Sequence, residues 1–230
     1  MNEKIIKPVA YIENDFDEKF GIPRQSGRAP SVVSKIIFYP EYRDGNALRQ
    51  IEGFSHLWLI FGFSKAEYNK FTPLVRPPRL GGNEKVGVFA SRSPFRPNGL
   101  GLSSVKLLRI EKTDEFGTIL IVSGADLLNG TPIYDVKPYL AFTDSHPTAT
   151  DGFAKDRVSH KLKVVLPQTL PSTFPKDKIA PLTECLSDDP RPSYHDDERI
   201  YGMTFCGHNV KFTVSNGILT VLSIESQNHQ

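Results

Sequence analysis

Eighteen prolines and seventeen glycines are scattered along this chain, and they cut its first 150 residues into short runs. Proline removes a backbone donor and glycine loosens the backbone, so long helices are disfavoured wherever the two recur closely. The runs between them are rich in β-branched and aromatic residues: Val32–Tyr39, Ser55–Phe63, Lys85–Ala90, Ser103–Ile110, Thr118–Ala125 and Ile133–Pro138. Short apolar runs separated by turn residues predict strands, and many of them predict a mainly β barrel or sandwich rather than a βαβ fold. His56–Phe61 is nearly all apolar, which predicts a strand buried on both faces. Helical signals are confined to short turns near Arg43–Gln50 and Lys65–Lys70.

The character changes beyond Pro147. His160–Leu166 reads as a strand. Leu166–Ser187 carries four prolines and predicts a linker with a small helix around Ala180–Ser187. After the polar stretch SDDPRPSYHDDERIYG come three short strands, Tyr201–Phe205, Val210–Val214 and Ile218–Ile224. Gly207–His208–Asn209 and Ser215–Asn216–Gly217 are the predicted turns between them. The boundary falls near residues 150–165, giving a β domain over 1–155 and a small α+β domain over 156–230.

With 39% hydrophobic and 23% charged residues the composition is that of a soluble globular protein. No apolar run approaches the ~20 residues of a membrane-spanning helix. The segment MNEKIIKPVAYIEND lacks the apolar region of a secretory signal, so a cytoplasmic location and no membrane partner are expected. Cys185 and Cys206 stand far from any CxxC spacing, the six histidines are scattered, and no HExxH motif occurs, so no metal site is expected.

The net charge is only +2, yet it is unevenly placed. Between Lys70 and Asn98 lie Lys70, Arg76, Arg79, Lys85, Arg92 and Arg96 against one acid, Glu84. In RPPRLGGNEKVGVFASRSPFRPNGLG, Arg76–Gly101, Pro77–Pro78 displays Arg76 and Arg79 from a stiff extended backbone. Gly81–Gly82–Asn83 permits close approach to a ligand. A second stiff loop, Ser91–Asn98, carries Arg92 and Arg96. Guanidinium forks suit carboxylates and phosphates, so this segment is expected to bind an anionic or nucleotide-like ligand. Gly99–Leu100–Gly101 is not a dinucleotide fingerprint, because it follows a proline-rich loop and precedes a strand.

A second constellation runs from Ser123 to Tyr139. A strand enters the turn Asn129–Gly130–Thr131–Pro132 and a second strand follows, predicting a hairpin. Asp126 falls on one side, and Asp135, Lys137 and Tyr139 on the other. Such groups beside a basic loop can bind ribose hydroxyls or move protons, or can simply form a surface ion pair. Pro23–Arg24–Gln25–Ser26–Gly27 holds one more arginine between proline and glycine.

PRQSG, EGFSHLWLIFGF, VRPPRLGGNEKVGVFASRSPFRPNGLGLS, LLNGTPIYDVKPYL and DPRPSY-x6-YG, taken together and in this order, resemble the TsaA family, also called TrmO. The likeness runs from about Tyr11 to Ile224, departing mildly at Ser26, where proline is common, and at Gly99. It implies a β-barrel domain binding S-adenosylmethionine (SAM), a small α+β C-terminal domain and a homodimer. It implies methyl transfer to N6 of threonylcarbamoyladenosine at position 37, in the anticodon loop of threonine tRNA. Carried over by motif, Arg24, Gln25, Ser26, Phe63, Ser64, Arg92, Leu102, Ser123, Gly124, Ala125 and Asp126 are implied cofactor contacts. Arg76, Arg79, Arg96 and Lys137 are substrate-binding candidates. Asp126, Asp135 and Tyr139 are the candidates for catalysis. A non-catalytic barrel that binds tRNA or a nucleotide, and a methyltransferase with another substrate, are the alternatives.

Overall fold

The computed structural model describes residues 4–65, 71–77, 84–157, 161–191 and 199–227. Among the described residues, twelve strands alternate with short turns: β1 (Ala10–Glu13), β2 (Val33–Phe38), β3 (His56–Gly62), β4 (Leu74–Val75), β5 (Val86–Gly87), β6 (Leu100–Thr113), β7 (Gly117–Ser123), β8 (Pro132–Pro138), β9 (Lys163–Val165), β10 (Tyr201–Phe205), β11 (His208–Ser215) and β12 (Ile218–Ser226). The helices are α1 (Ala141–Asp144) and α2 (Ile179–Ser187), the latter where the sequence predicts one. Among the described residues, no helix is long and apolar enough to cross a membrane.

Six strands close on themselves in the order β1-β2-β7-β6-β3-β8. Their inward side chains, including Ile12, Ile36, Leu57, Leu59, Val105, Leu120, Val122 and Ile133, form one core. Strand β3 alternates: Leu57, Leu59 and Phe61 are buried, whereas His56, Trp58 and Ile60 face outward and are only partly covered. The expectation of burial on both faces therefore fails. A closed sheet has one interior, and the outward positions of His56–Phe61 are apolar for another reason.

Two further expectations change. Strand β7 pairs with β2 and β6, whereas β8 pairs with β1 and β3, so Ser123–Tyr139 is not a hairpin. Short β1 was missed: Ala10 sits opposite both Phe38 and Ile133, and β1 and β2 lie between the two strands expected to pair. Of Lys85–Ala90 only Val86–Gly87 is a strand, pairing with Leu74–Val75, and Val88–Ala90 turns back as a 3-10 helix.

The second sheet has the order β10-β11-β12-β9. Its turns follow the two-residue hairpin rule, which needs two positive φ angles. Asn216 and Gly217 supply them between β11 and β12. Between β10 and β11 they come from Cys206 and Gly207, one residue earlier than predicted. Helix α2 packs Leu182, Cys185 and Leu186 into this sheet's core. Burial pushes the Cys185 thiol well above its ordinary range, which leaves it an inert packing residue.

The segment joining β1 to β2 contributes Phe16, Ala29 and Val32 to that same core. Phe20 stacks on Tyr201 and Phe212, with ring centroids 6.4 Å away in each case. Around this apolar seam, Glu184 accepts from the Ser31 N–H and hydroxyl at 2.7 and 2.8 Å, and Arg28 pairs with the buried carboxylate of Asp188. The segment before β2 is thereby fixed between the two sheets, and it carries Arg24, Gln25 and Ser26.

Candidate active site

A cavity of about 1030 Å³ opens along the outer face of β3. That lies at the upper end of the volumes that hold small ligands, with room for two reactants side by side. Arg24, Gln25 and Ser26 form one wall. His56, Trp58, Ile60, Phe61 and Phe63 come from β3 and the turn after it, and Leu100–Ser104 from the start of β6. Arg92, Arg96, Asp126 and Tyr139 complete the lining.

Local backbone chemistry brings these groups together. Gly124 has φ +75° and Gly27 has φ +76°, and their backbones meet: Gly27 N–H donates to the Gly124 carbonyl at 2.8 Å. A Cβ on Gly124 would lie 3.2 Å from both Cα and N of Gly27, so only glycine lets the end of β7 reach the Arg24–Ser26 segment at this separation. Asn98 and Gly99 follow each other at φ +70° and +57°, turning the arginine loop sharply into β6. The Gly99 carbonyl accepts from Phe63 N–H at 3.0 Å and ties that loop to β3.

Asp126 is the electrostatic centre of the polar end. Burial raises its carboxyl above the usual range. The Ser103 hydroxyl, which donates to it at 2.6 Å, opposes that rise. Its own N–H, the charge of Arg92 and the Ser26 N–H oppose it further. The Arg92 guanidinium bonds to Gln25 Oε1, and Arg96 donates to the Ser91 carbonyl at 3.2 Å. Arg24 donates to the carbonyls of Asp189 and Arg191, so the segment after α2 braces the cavity wall.

Aromatic rings line the cavity along β3 and after β8. The Trp58 and Tyr139 rings are 5.3 Å apart, and His56 and Tyr139 6.2 Å apart. Trp58 Nε1–H donates to Asp144 at 2.9 Å. The Phe61 and Phe63 rings meet edge to face at 5.2 Å near the other end of β3.

Arg24, Gln25, Ser26, Phe63, Arg92, Arg96, Leu102, Asp126 and Tyr139 thus converge from segments far apart in sequence. Ser123, Gly124 and Ala125 are buried below Asp126 and shape the wall through their backbone. Ser64 is exposed beside Phe63 and Arg76 is exposed, and neither belongs to the lining. Asp135 and Lys137 pair at 2.9 Å across from Ile60 and Trp58, just outside the lining. Arg79, with Gly81–Gly82–Asn83, lies outside the described residues. His56, Trp58 and Ile60 were missed as site residues. Their signal was the two-residue spacing that puts all three on one strand face.

The donor set fits SAM. The cofactor carries a carboxylate, an ammonium, a sulfonium, a ribose diol and an adenine. The cavity offers guanidinium groups, a carboxylate with a hydroxyl on one oxygen, and aromatic rings.

Comparison with known proteins matches both parts of the chain. The family profile described as the tRNA-methyltransferase O N-terminal domain matches residues 11–145, and the TrmO C-terminal domain profile matches residues 167–227. A relative from Escherichia coli named tRNA (adenine(37)-N6)-methyltransferase is 35% identical over 227 residues, covering 94% of this chain and 96% of that one. A relative from Pseudomonas aeruginosa, named as a putative S-adenosylmethionine-dependent methyltransferase, is 39% identical over 215 residues, covering 86% and 87%. A solved structure titled "Crystal structure of TrmO" superposes with a TM-score of 0.80 at 30% identity, covering 98% of this chain and all of that one.

Proposed function

Because the chain belongs to the TrmO family, matched by both domain profiles, we propose that it methylates N6 of threonylcarbamoyladenosine at position 37 of threonine tRNA. It is a SAM-dependent tRNA methyltransferase. The observation that carries the finer reading is the lining of the cavity, which combines guanidinium groups, a desolvated carboxylate and aromatic rings. In this reading the closed sheet is a cofactor-binding barrel over residues 1–155, and residues 156–230 form the small C-terminal domain. The protein works as a cytoplasmic homodimer on the anticodon loop.

SAM, when bound, supplies an electrophilic methyl group on a sulfonium. Arg24, Gln25, Ser26, Phe63, Arg92, Leu102 and the Ser123–Asp126 strand end would hold it, with Ser64 joining from beside Phe63. The positive charge is lost on transfer, so the residues need not stabilise a developing anion at sulfur. Their work is alignment and exclusion of water. The acceptor nitrogen is deactivated by its carbamoyl group, and a base that takes its proton helps. Tyr139 and Asp126 line the cavity, and Asp135 stands next to it, held by Lys137. In this reading Arg96, which donates to the Ser91 carbonyl, binds the threonyl carboxylate, and Arg76 and Arg79 serve the tRNA.

Asp135→Asn should keep SAM affinity and slow single-turnover methylation; an undiminished rate removes Asp135 from the chemistry. The function is tested by mass spectrometry of tRNA nucleosides from cells lacking the gene. Loss of methylated threonylcarbamoyladenosine supports the reading. An unchanged profile, with SAM still bound by the pure protein, points to a different acceptor.

A further inference from the structure

We propose that His56, Trp58 and Tyr139 form the seat of the acceptor purine, and that Asp144 is the positioning residue that sets the indole for it. This rests on the reading of the chain as a tRNA adenine methyltransferase. The three rings share the outward side of β3 and the end of β8, and all line the cavity. They are not needed for the closed-sheet core, which Leu57, Leu59 and Phe61 fill at 0%, 0% and 5% exposure. Trp58 is nevertheless fixed. Its Nε1–H donates to Asp144 Oδ2 at 2.9 Å, and the same oxygen accepts from Leu140 N–H at 2.9 Å. Those two donors hold the Asp144 carboxyl below its usual range, so it stays an acceptor at neutral pH. Tyr139 meets the indole at 49° and His56 at 62°, giving a tilted wall rather than a closed stack.

Proteins that recognise an RNA base out of its stack commonly lay it against an aromatic face. Methyl transfer to an exocyclic nitrogen needs that nitrogen held in line with the methyl group, next to the cofactor, and an aromatic wall can hold the base for it. The wall is distinct from the cofactor's own aromatic contact. Phe63 lies five residues further along the chain from Trp58, past the irregularity between Ile60 and Phe61 and beyond the end of β3. The Arg92 and Asp126 groups supply charge for the cofactor, and the Trp58 wall presents rings for a neutral purine.

Trp58 is the chain's single tryptophan, so its emission reports on this wall alone. The test titrates protein saturated with S-adenosylhomocysteine with an anticodon stem–loop RNA carrying threonylcarbamoyladenosine. Binding is followed in parallel by anisotropy of labelled RNA. Quenching of the indole in step with binding is expected, with little change from S-adenosylhomocysteine alone. Trp58→Ala should raise the KM for tRNA roughly tenfold or more while SAM affinity stays unchanged. Trp58→Phe should recover most of the loss, and Asp144→Ala should fall between. RNA binding without quenching, quenching by S-adenosylhomocysteine alone, or a wild-type KM in Trp58→Ala overturns the proposal. Failure of the wild-type protein to bind the RNA at all removes the tRNA reading beneath it. If Trp58→Ala fails to fold, shown by lost SAM binding, the quenching experiment and Trp58→Phe still decide.

Discussion

Gly101 sits opposite Phe61 in the β3–β6 register, and the Phe61 ring occupies the space a side chain would need. A Cβ added there would lie 2.5 and 2.8 Å from the two Cε atoms of that ring and closer still to its Cζ. Carbon atoms pack comfortably at ~3.5–4.0 Å, so Gly101→Ala demands a shift of about 1 Å or more. Phe61 is 5% exposed in the core and packs edge to face on Phe63 at 5.2 Å, so its ring cannot swing freely. Overpacking of this kind costs about 1–3 kcal/mol. For a chain of this size each kcal/mol lowers Tm by roughly 2–4 °C. Gly101→Ala should therefore lower the melting temperature by about 2–12 °C in calorimetry. It should also weaken SAM binding, because Phe61, Phe63 and Gly101 all line the cavity. Adding Phe61→Leu should return part of the loss, so a double-mutant cycle shows a favourable coupling. An unchanged Tm for Gly101→Ala, or strictly additive costs in the cycle, would refute the reasoning.

Three further outcomes follow from the site. Arg92→Ala should weaken SAM binding at least tenfold in calorimetry, since Arg92 bonds Gln25 and faces Asp126; unchanged affinity contradicts its placement. Burial raises the Asp126 carboxyl, so the folded chain holds an extra proton between the unfolded and the raised values, and stability falls as pH rises through that window. Asp126→Asn should thus raise the Tm of the cofactor-free protein at neutral pH and flatten its pH dependence while weakening SAM binding; a lowered Tm contradicts this. Asp188 is 3% exposed in its pair with Arg28, which is 21% exposed. Asp188→Ala should cost about 2–3 kcal/mol in urea unfolding, somewhat below a fully buried pair, and a cost below ~0.5 kcal/mol would show that the pair is not structural.

Much of the fold was legible because strands here are local events. β-branched runs between prolines and glycines marked β2, β3, β6, β7 and β8, and Asn216–Gly217 marked its hairpin outright. Closure was not legible. The pairing of β8 with β1 joins residues far apart in sequence, and β1 is only four residues long, so Ser123–Tyr139 looked like a hairpin that it is not. The site divided in the same way. Arg24, Arg92 and Arg96 stood out because arginines framed by proline and glycine are unusual, Asp126 because it stands at a strand end before a turn, and all four line the cavity. Trp58 and His56 were hidden inside an apolar run. Only the closed sheet shows that alternate positions of that run face outward. The role of the segment between β1 and β2 in the second core was equally hidden, since Phe16 and Phe20 carry no periodic signal of their own.

The most direct measurement is methyl transfer by the purified protein from radiolabelled SAM to threonine tRNA prepared with and without threonylcarbamoyladenosine. Label should appear only in the threonylcarbamoyl-bearing tRNA and should be recovered on that one nucleoside after digestion. Equal labelling of both tRNAs, or no labelling of either while SAM still binds, would contradict the assignment.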